Sequence, residues 1–170
     1  MFKKIFGKLF ADEPKQDFNE PRIIEVKSKR AVRKYGGSKK LIAPLSSYAE
    51  VMRMIPAGKL ITKELIRYYL IKKHNADYVD MLTSEIYINI VANESAENKI
   101  EEVPYWRTLD WEGRLIDKFP GGIEAQKLLL EKEGHKITQD GKFYYVKNYE
   151  KKLFVLPGTE LSMPLRKKLL

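Results

Sequence analysis

The feature that most constrains this 170-residue chain is a pair of amphipathic stretches with almost nothing between them. In "KELIRYYLIKKH", Leu65, Ile66, Tyr69 and Leu70 recur at helical spacing, and Thr62 stands where an N-cap belongs. "ADYVDMLTSEIYINIVA" follows a turn at His74-Asn75, with Asn75 as its cap and Tyr78, Val79, Leu82, Ile86 and Ile90 marking its buried side. Two helices so closely joined are compatible with a helix-turn-helix, a pattern that any small helical bundle also gives. Further along, "HKITQDGKFYYV" has the alternation and the Asp140-Gly141 pair of a β-hairpin. The pattern predicts an α+β, mainly helical fold: a winged helix-turn-helix core with a small β-hairpin.

The flanking segments set the rest of the plan. Ser47 and Glu50 have the spacing of a capping box ahead of a short helix with Tyr48, Val51 and Met52, ended by the breakers Pro56 and Gly58. Polar residues 93–102 predict a loop. "GIEAQKLLLEKEG" predicts a last helix with Ile123, Leu128 and Leu129 inward and Gly134 as its stop. Before this region, "RIIEV" reads as a strand, and Gly36-Gly37 reads as a hairpin turn between two short arms. The expected division is a basic N-terminal extension and linker over 1–45, the winged-helix unit over 46–150, and a tail over 151–170. The opening "MFKKIFGKLF" is amphipathic, with Phe2, Ile5, Phe6, Leu9 and Phe10 opposite most of its lysines. It suits either docking on its own domain or contact with a membrane surface or partner.

Composition narrows the chemistry. There is no cysteine, which excludes disulfides, thiolate metal sites and sulfur nucleophiles. His74 and His135 are the only histidines, and neither has metal-ligand spacing, so no metal or cofactor is expected. No apolar run is long enough to span a bilayer and no secretory signal is apparent, which places the chain in the cytoplasm. The net charge is +9, but residues 1–45 hold twelve Lys and Arg against five Asp and Glu. The attraction for polyanions therefore lies mostly in the extension, which also offers contact with a partner protein or an anionic surface.

Residues 101–122, "EEVPYWRTLDWEGRLIDKFPGG", combine a Pro-aromatic-Arg corner, a glycine turn and FPGG ahead of a helix. Five motifs stand in order: IPAGK, the corner Pro104 to Arg107, the turn Gly113-Arg114-Leu115, FPGG, and LLLEKEG ending at Glu133-Gly134. Over about Ser47 to Val146 this order resembles the DNA-binding domain of the alkylguanine–DNA alkyltransferases and the alkyltransferase-like proteins. The resemblance implies a helix-turn-helix in the minor groove and a guanine flipped into a pocket. In the transferring enzymes a Pro-Cys-His-Arg corner presents the cysteine that accepts the alkyl group, whereas the alkyltransferase-like proteins carry tryptophan there and bind lesions without repairing them.

This chain departs further from both. Tyr105 stands at the cysteine position and Trp106 at the histidine position, while Pro104 and Arg107 match. Glu133 matches the glutamate of the family's last helix, with its hydrogen-bonding partners expected to be missing. The resemblance implies a pocket of Pro104, Tyr105, Trp106, Arg107 and Glu133, and DNA contacts from Lys59, Thr62, Lys63, Ser84, Arg107 and Arg114. Lys63 falls at a tyrosine of the family, and Ser84 at the arginine that fills the gap left by the flipped base. The partner implied is duplex DNA, alkylated or not, and without a thiolate no alkyl transfer is expected.

Three readings stay open. The first is non-catalytic DNA binding, and the second a protein-interaction module whose scaffold has lost DNA, favoured by the acidic Asp77, Asp80 and Glu85. An enzyme using carboxylates such as Glu133 and Asp110 ranks last. Tyr105 and Trp106 equally suit a packed corner in which Arg107 pairs with a carboxylate.

Overall fold

A computed structural model describes residues 19–159. Strand β1 (Arg22–Glu25) leads into helix α1 (Lys29–Tyr35) and strand β2 (Lys39–Ile42). Helices α2 (Leu45–Arg53), α3 (Lys63–Lys73) and α4 (Met81–Ala96) follow, with the short strands β3 (Ile61–Thr62) before α3 and β4 (Tyr78–Val79) before α4. The corner is a 3-10 turn (Tyr105–Arg107) running into β5 (Thr108–Leu109). Helix α5 (Gly122–Lys132), the strands β6 (Ile137–Asp140) and β7 (Phe143–Val146), and a second 3-10 turn (Tyr149–Lys152) complete the order. The fold is α+β, as predicted, and β6 and β7 form the expected hairpin, with Asp140 opposite Phe143.

Gly36 and Gly37 do not make a hairpin turn. Gly36 takes a left-handed φ of 78° and closes α1 by donating its N–H to Val32. At Gly37 an added Cβ would lie 2.2 Å from the Asp77 carboxylate, which accepts from the Lys39 N–H at 2.8 Å. One glycine supplies the helix stop and the other permits a close approach. β2 then pairs antiparallel with β1 and parallel with β4, so residues 22–42 hydrogen-bond to the segment between α3 and α4.

That pairing also corrects the start of α4. The sequence predicts a helix capped by Asn75, but residues 78–79 are drawn into the sheet and the cap is Asp80, whose Oδ1 accepts from Thr83 N at 2.9 Å. The buried stripe shifts with it to Ser84, Ile88, Val91, Ala92 and Ser95, leaving Leu82 exposed and Ile86 and Ile90 half-buried. The helix runs to Ala96, into the stretch expected as loop. α2 likewise starts earlier than predicted: Pro44 precedes it, Ser47 is buried, and no capping box forms. Thr62 caps α3 as expected, accepting from Leu65 N at 3.3 Å.

Two hydrophobic clusters hold the molecule together. The larger collects Tyr48, Met52, Ile66, Leu70, Ile88, Val91, Tyr105 and Phe119 from α2, α3, α4, the corner and the FPGG stretch. The smaller joins Leu60, Leu109, Leu115, Leu130, Val146 and Tyr149, beneath α5 and the hairpin. Trp106 and Leu153 pack against both. Part of the expected tail is therefore core: Leu60 bridges to Leu153, Phe154 donates to the Leu60 carbonyl at 2.8 Å, and Leu156 is buried. The amphipathic segment at residues 1–10 and the end of the tail lie outside the described residues.

Candidate functional site: the aromatic corner

The corner is built from its neighbours inward. Val103 is tied to the end of α4, its N–H donating to Ser95 Oγ at 2.8 Å, and Pro104 then opens the 3-10 turn. Tyr105 turns into the larger core, only 8% exposed, with its ring edge-on to both Phe119 and Trp106 at 5.5 Å. Burial pushes its phenol above the usual tyrosine range, so it is held neutral.

Trp106 and Arg107 point instead to the end of α5, where they meet Glu133. The indole Nε1 donates to Glu133 Oε1 at 2.9 Å. The Arg107 guanidinium donates through Nε to both carboxylate oxygens at 3.0 Å and through Nη2 to Oε1 at 2.6 Å. Gly58 N–H adds a bond to Oε2 at 3.1 Å, and Arg107 Nη1 reaches the Ile55 carbonyl at 2.6 Å. The expectation that Glu133 lacks partners is thus overturned. Tryptophan at the histidine position keeps one N–H donor, and the corner arginine supplies the rest. Burial alone pushes the Glu133 carboxyl up, but these donors outweigh it and hold the pKa below the usual carboxylate range.

This geometry explains why the motifs occur together. Glu133 joins the IPAGK loop, the Pro104–Arg107 corner and the end of the last helix in one charge-assisted cluster. The Gly113 turn is fixed separately: Asp110 Oδ1 accepts from the N–H groups of Glu112 and Arg114, both at 2.8 Å. Gly113 itself has φ 79°, and a Cβ there would sit 2.3 Å from the Tyr149 ring.

Of the predicted pocket residues, Trp106, Arg107 and Glu133 meet in a packed and hydrogen-bonded cluster, while Tyr105 turns into the larger core. Arg107 is not free to reach a phosphate, because its side chain is 14% exposed and spent on Glu133 and Ile55. Thr62 is buried at its cap, and Lys63 is buried with its ammonium on Glu85 Oε2. Glu85 also accepts from Arg67 at 3.2 Å, and Arg67 pairs with Glu64 at 2.5 Å. Arg114 is held by Glu112 and lies over the Phe143 ring at 4.2 Å, with Nε donating to Tyr145 Oη at 3.2 Å. Of the six predicted DNA contacts, Lys59 is exposed and makes no ion pair among the described residues.

Ser84 departs furthest from its expected role. It is fully buried and shares a 2.9 Å hydrogen bond with Tyr48 Oη. Burial, partly offset by Ser84, pushes the Tyr48 phenol up to about 12. Placing arginine here buries a charge with no carboxylate in that bond, so Ser84→Arg is expected to destabilise the protein by about 3 kcal/mol or more. Ser84→Ala should cost about 1–2 kcal/mol. Urea denaturation of the two variants checks both values.

The helical pattern of the α5 segment does not single out Gln126 as a site residue. It is completely buried in α5, whereas Leu128 of the predicted inner face is 54% exposed. Gln126 Oε1 accepts from Ile116 N at 2.6 Å, and its Nε2 donates to the carbonyls of Trp106 at 3.1 Å and Thr108 at 2.9 Å. A polar residue inside an apolar helix run was the only available signal. Among the described residues, no three His, Cys, Asp or Glu side chains converge in a metal-holding group.

No family model matches the chain, and no curated protein matches it. Among solved structures it is similar to Atl1 of S. pombe in complex with damaged DNA containing O6-carboxymethylguanine, at 20% identity and a TM-score of 0.49, covering 65% of this chain and 93% of that one. It is also similar to the S. pombe ATL in complex with DNA, at 21% identity and a TM-score of 0.46, with the same coverage of both chains. Both neighbours are alkyltransferase-like proteins, the group that the sequence motifs resemble.

Proposed function

We propose that this chain is a non-catalytic DNA-binding protein of the alkyltransferase-like kind, which senses alkylated or flipped bases in duplex DNA in the cytoplasm. The supporting observation is the corner itself. Trp106 and Arg107 close on Glu133, while a buried, neutral Tyr105 stands where the resembling enzymes keep their cysteine. On this reading the corner keeps its architecture and has no acceptor for an alkyl group. Helices α3 and α4 with the β6–β7 hairpin act as a winged helix-turn-helix, Lys59 supplies a backbone contact, and the basic residues of 1–45 add to the attraction for DNA.

The test is binding of the full chain to a labelled duplex, with and without O6-alkylguanine, across a salt series. Expected is binding that weakens with salt, tighter for the alkylated duplex, with Lys59→Glu lowering the log–log salt slope by about one. Absence of binding at low salt overturns the proposal.

A second reading, a protein-interaction module, is favoured by α4. Glu85 neutralises Lys63 and Arg67, and Ile86, Asn89, Ile90 and Asn93 line a groove of about 780 Å³. The same experiment separates the two, because this reading requires the folded unit to ignore DNA.

A further inference from the structure

A second cavity, of about 390 Å³, opens where the end of α5, the base of the hairpin and the second 3-10 turn meet. Its walls carry four lysines, Lys136, Lys147, Lys151 and Lys152. All four are exposed, and none makes an ion pair among the described residues. Four ammonium groups around one concavity repel one another unless an anion joins them. The adjoining carboxylate, Glu133, gives no relief, because Arg107 and Trp106 already hold it.

The walls are fixed by backbone rather than by the lysines. Lys147 N–H donates to the Lys136 carbonyl at 2.8 Å and closes the hairpin base. Asn148 follows in a left-handed conformation, φ 54°, and its carbonyl accepts from Lys151 N at 3.2 Å. This sharp turn brings lysines from either side of it to one opening. His135 lines the same concavity, is 6% exposed, and its Nε2 is buried without a hydrogen-bond partner. A buried ring nitrogen left unpaired is costly and uncommon in folded proteins.

We propose that this cavity binds a phosphate group, with Lys136, Lys147, Lys151 and Lys152 as its cationic rim and His135 as its buried wall. Phosphate suits the site because several point charges surround a small, multiply charged anion. The site uses no residue of the aromatic corner, so it stands or falls separately from damage recognition. The phosphate has two sources, a nucleic-acid backbone or a small free phosphate compound.

The test is an NMR titration of the full chain with pyrophosphate at constant ionic strength, followed at the His135 ring and the backbone amides of Lys147 and Asn148. Expected are saturable shifts and a rise in the His135 titration midpoint, which burial, then Lys152 and Arg107, hold down against Glu133 in the free protein. The double variant Lys147→Glu/Lys151→Glu should bind at least about tenfold more weakly, the order of one lost charge-assisted contact. Lys29→Glu/Lys34→Glu, an equal charge change on α1, should leave binding unaltered. Non-saturable shifts, or equal weakening in both double variants, overturn the proposal. Competition by a short duplex supports the site with backbone phosphate as the source. An unchanged pyrophosphate titration in the presence of duplex supports it with a free phosphate compound as the source.

Discussion

Replacing Glu133 with alanine is expected to lower the free energy of unfolding by about 3–5 kcal/mol, because it strands a guanidinium inside the protein. Arg107 then keeps only the Ile55 carbonyl, and the N–H groups of Trp106 and Gly58 lose their acceptor. Glu133→Gln should recover part of the loss, since an amide oxygen still accepts but carries no charge. Trp106→Phe removes the donor and the part of the indole that packs against both clusters, so its cost should be about 1–3 kcal/mol. Urea denaturation midpoints at neutral pH rank the three. The same carboxylate predicts an acid sensitivity. Its folded pKa lies below the ordinary value of 4.5, so its contribution is complete above that value and is lost as pH falls through the folded pKa. Stability of the parent protein should therefore decline below pH 4.5 more steeply than that of Glu133→Gln.

How far the sequence anticipates this cluster depends on what kind of information is needed. Pro104, Trp106, Arg107 and Glu133 are recognisable as motif positions, and the structure brings the last three into contact. The pairing of Arg107 with a carboxylate is among the readings the residues allow, but the indole's share in it is not legible. An indole and an imidazole differ greatly in basicity but share an N–H donor, and a position-by-position comparison counts only the lost histidine. Elements set by local signals were read well. Thr62 caps its helix, the hairpin forms with its turn one residue later than Asp140-Gly141, at Gly141-Lys142, and Leu65, Ile66 and Leu70 face the core. Elements set by distant partners were missed. Tyr78 and Val79 have the apolar character of a helix face, yet β2 captures them as a strand, and this delays α4 to Met81. Lys63 and Ser84 align with functional positions, but Glu85 and Tyr48 engage them internally, and no pattern along the chain shows that.

Gln126→Leu should have an effect of similar size, despite being close to volume-conserving. One amide side chain satisfies the Ile116 N–H and the carbonyls of Trp106 and Thr108. Leucine leaves all three without a partner in a site closed to water. At about 1–3 kcal/mol for each stranded group, the expected loss is at least about 3 kcal/mol. That is far above the cost of a surface change, and Leu128→Gln two residues along should be close to neutral. Thermal and urea denaturation of both variants check the contrast. A Gln126→Leu protein as stable as the parent would mean that these backbone groups find other partners. The placement of Gln126 also matters for the corner: it anchors the carbonyl of Trp106 while Glu133 anchors that residue's ring. The backbone and side chain of one tryptophan are thus fixed from the middle and the end of α5.

The parallel bridge between Leu60 and Leu153 has a consequence for biosynthesis. The backbone of the IPAGK loop is completed by residues that leave the ribosome long after it, with Lys152 and Phe154 bonding to Leu60 on either side. Contacts spanning so much of the chain slow the search for the native state. Until that late segment emerges, Leu60 and its neighbours in the smaller cluster have no lid over them. The nascent polypeptide passes through a stage of exposed apolar surface, open to chaperones and to proteases, before its last turn closes the structure.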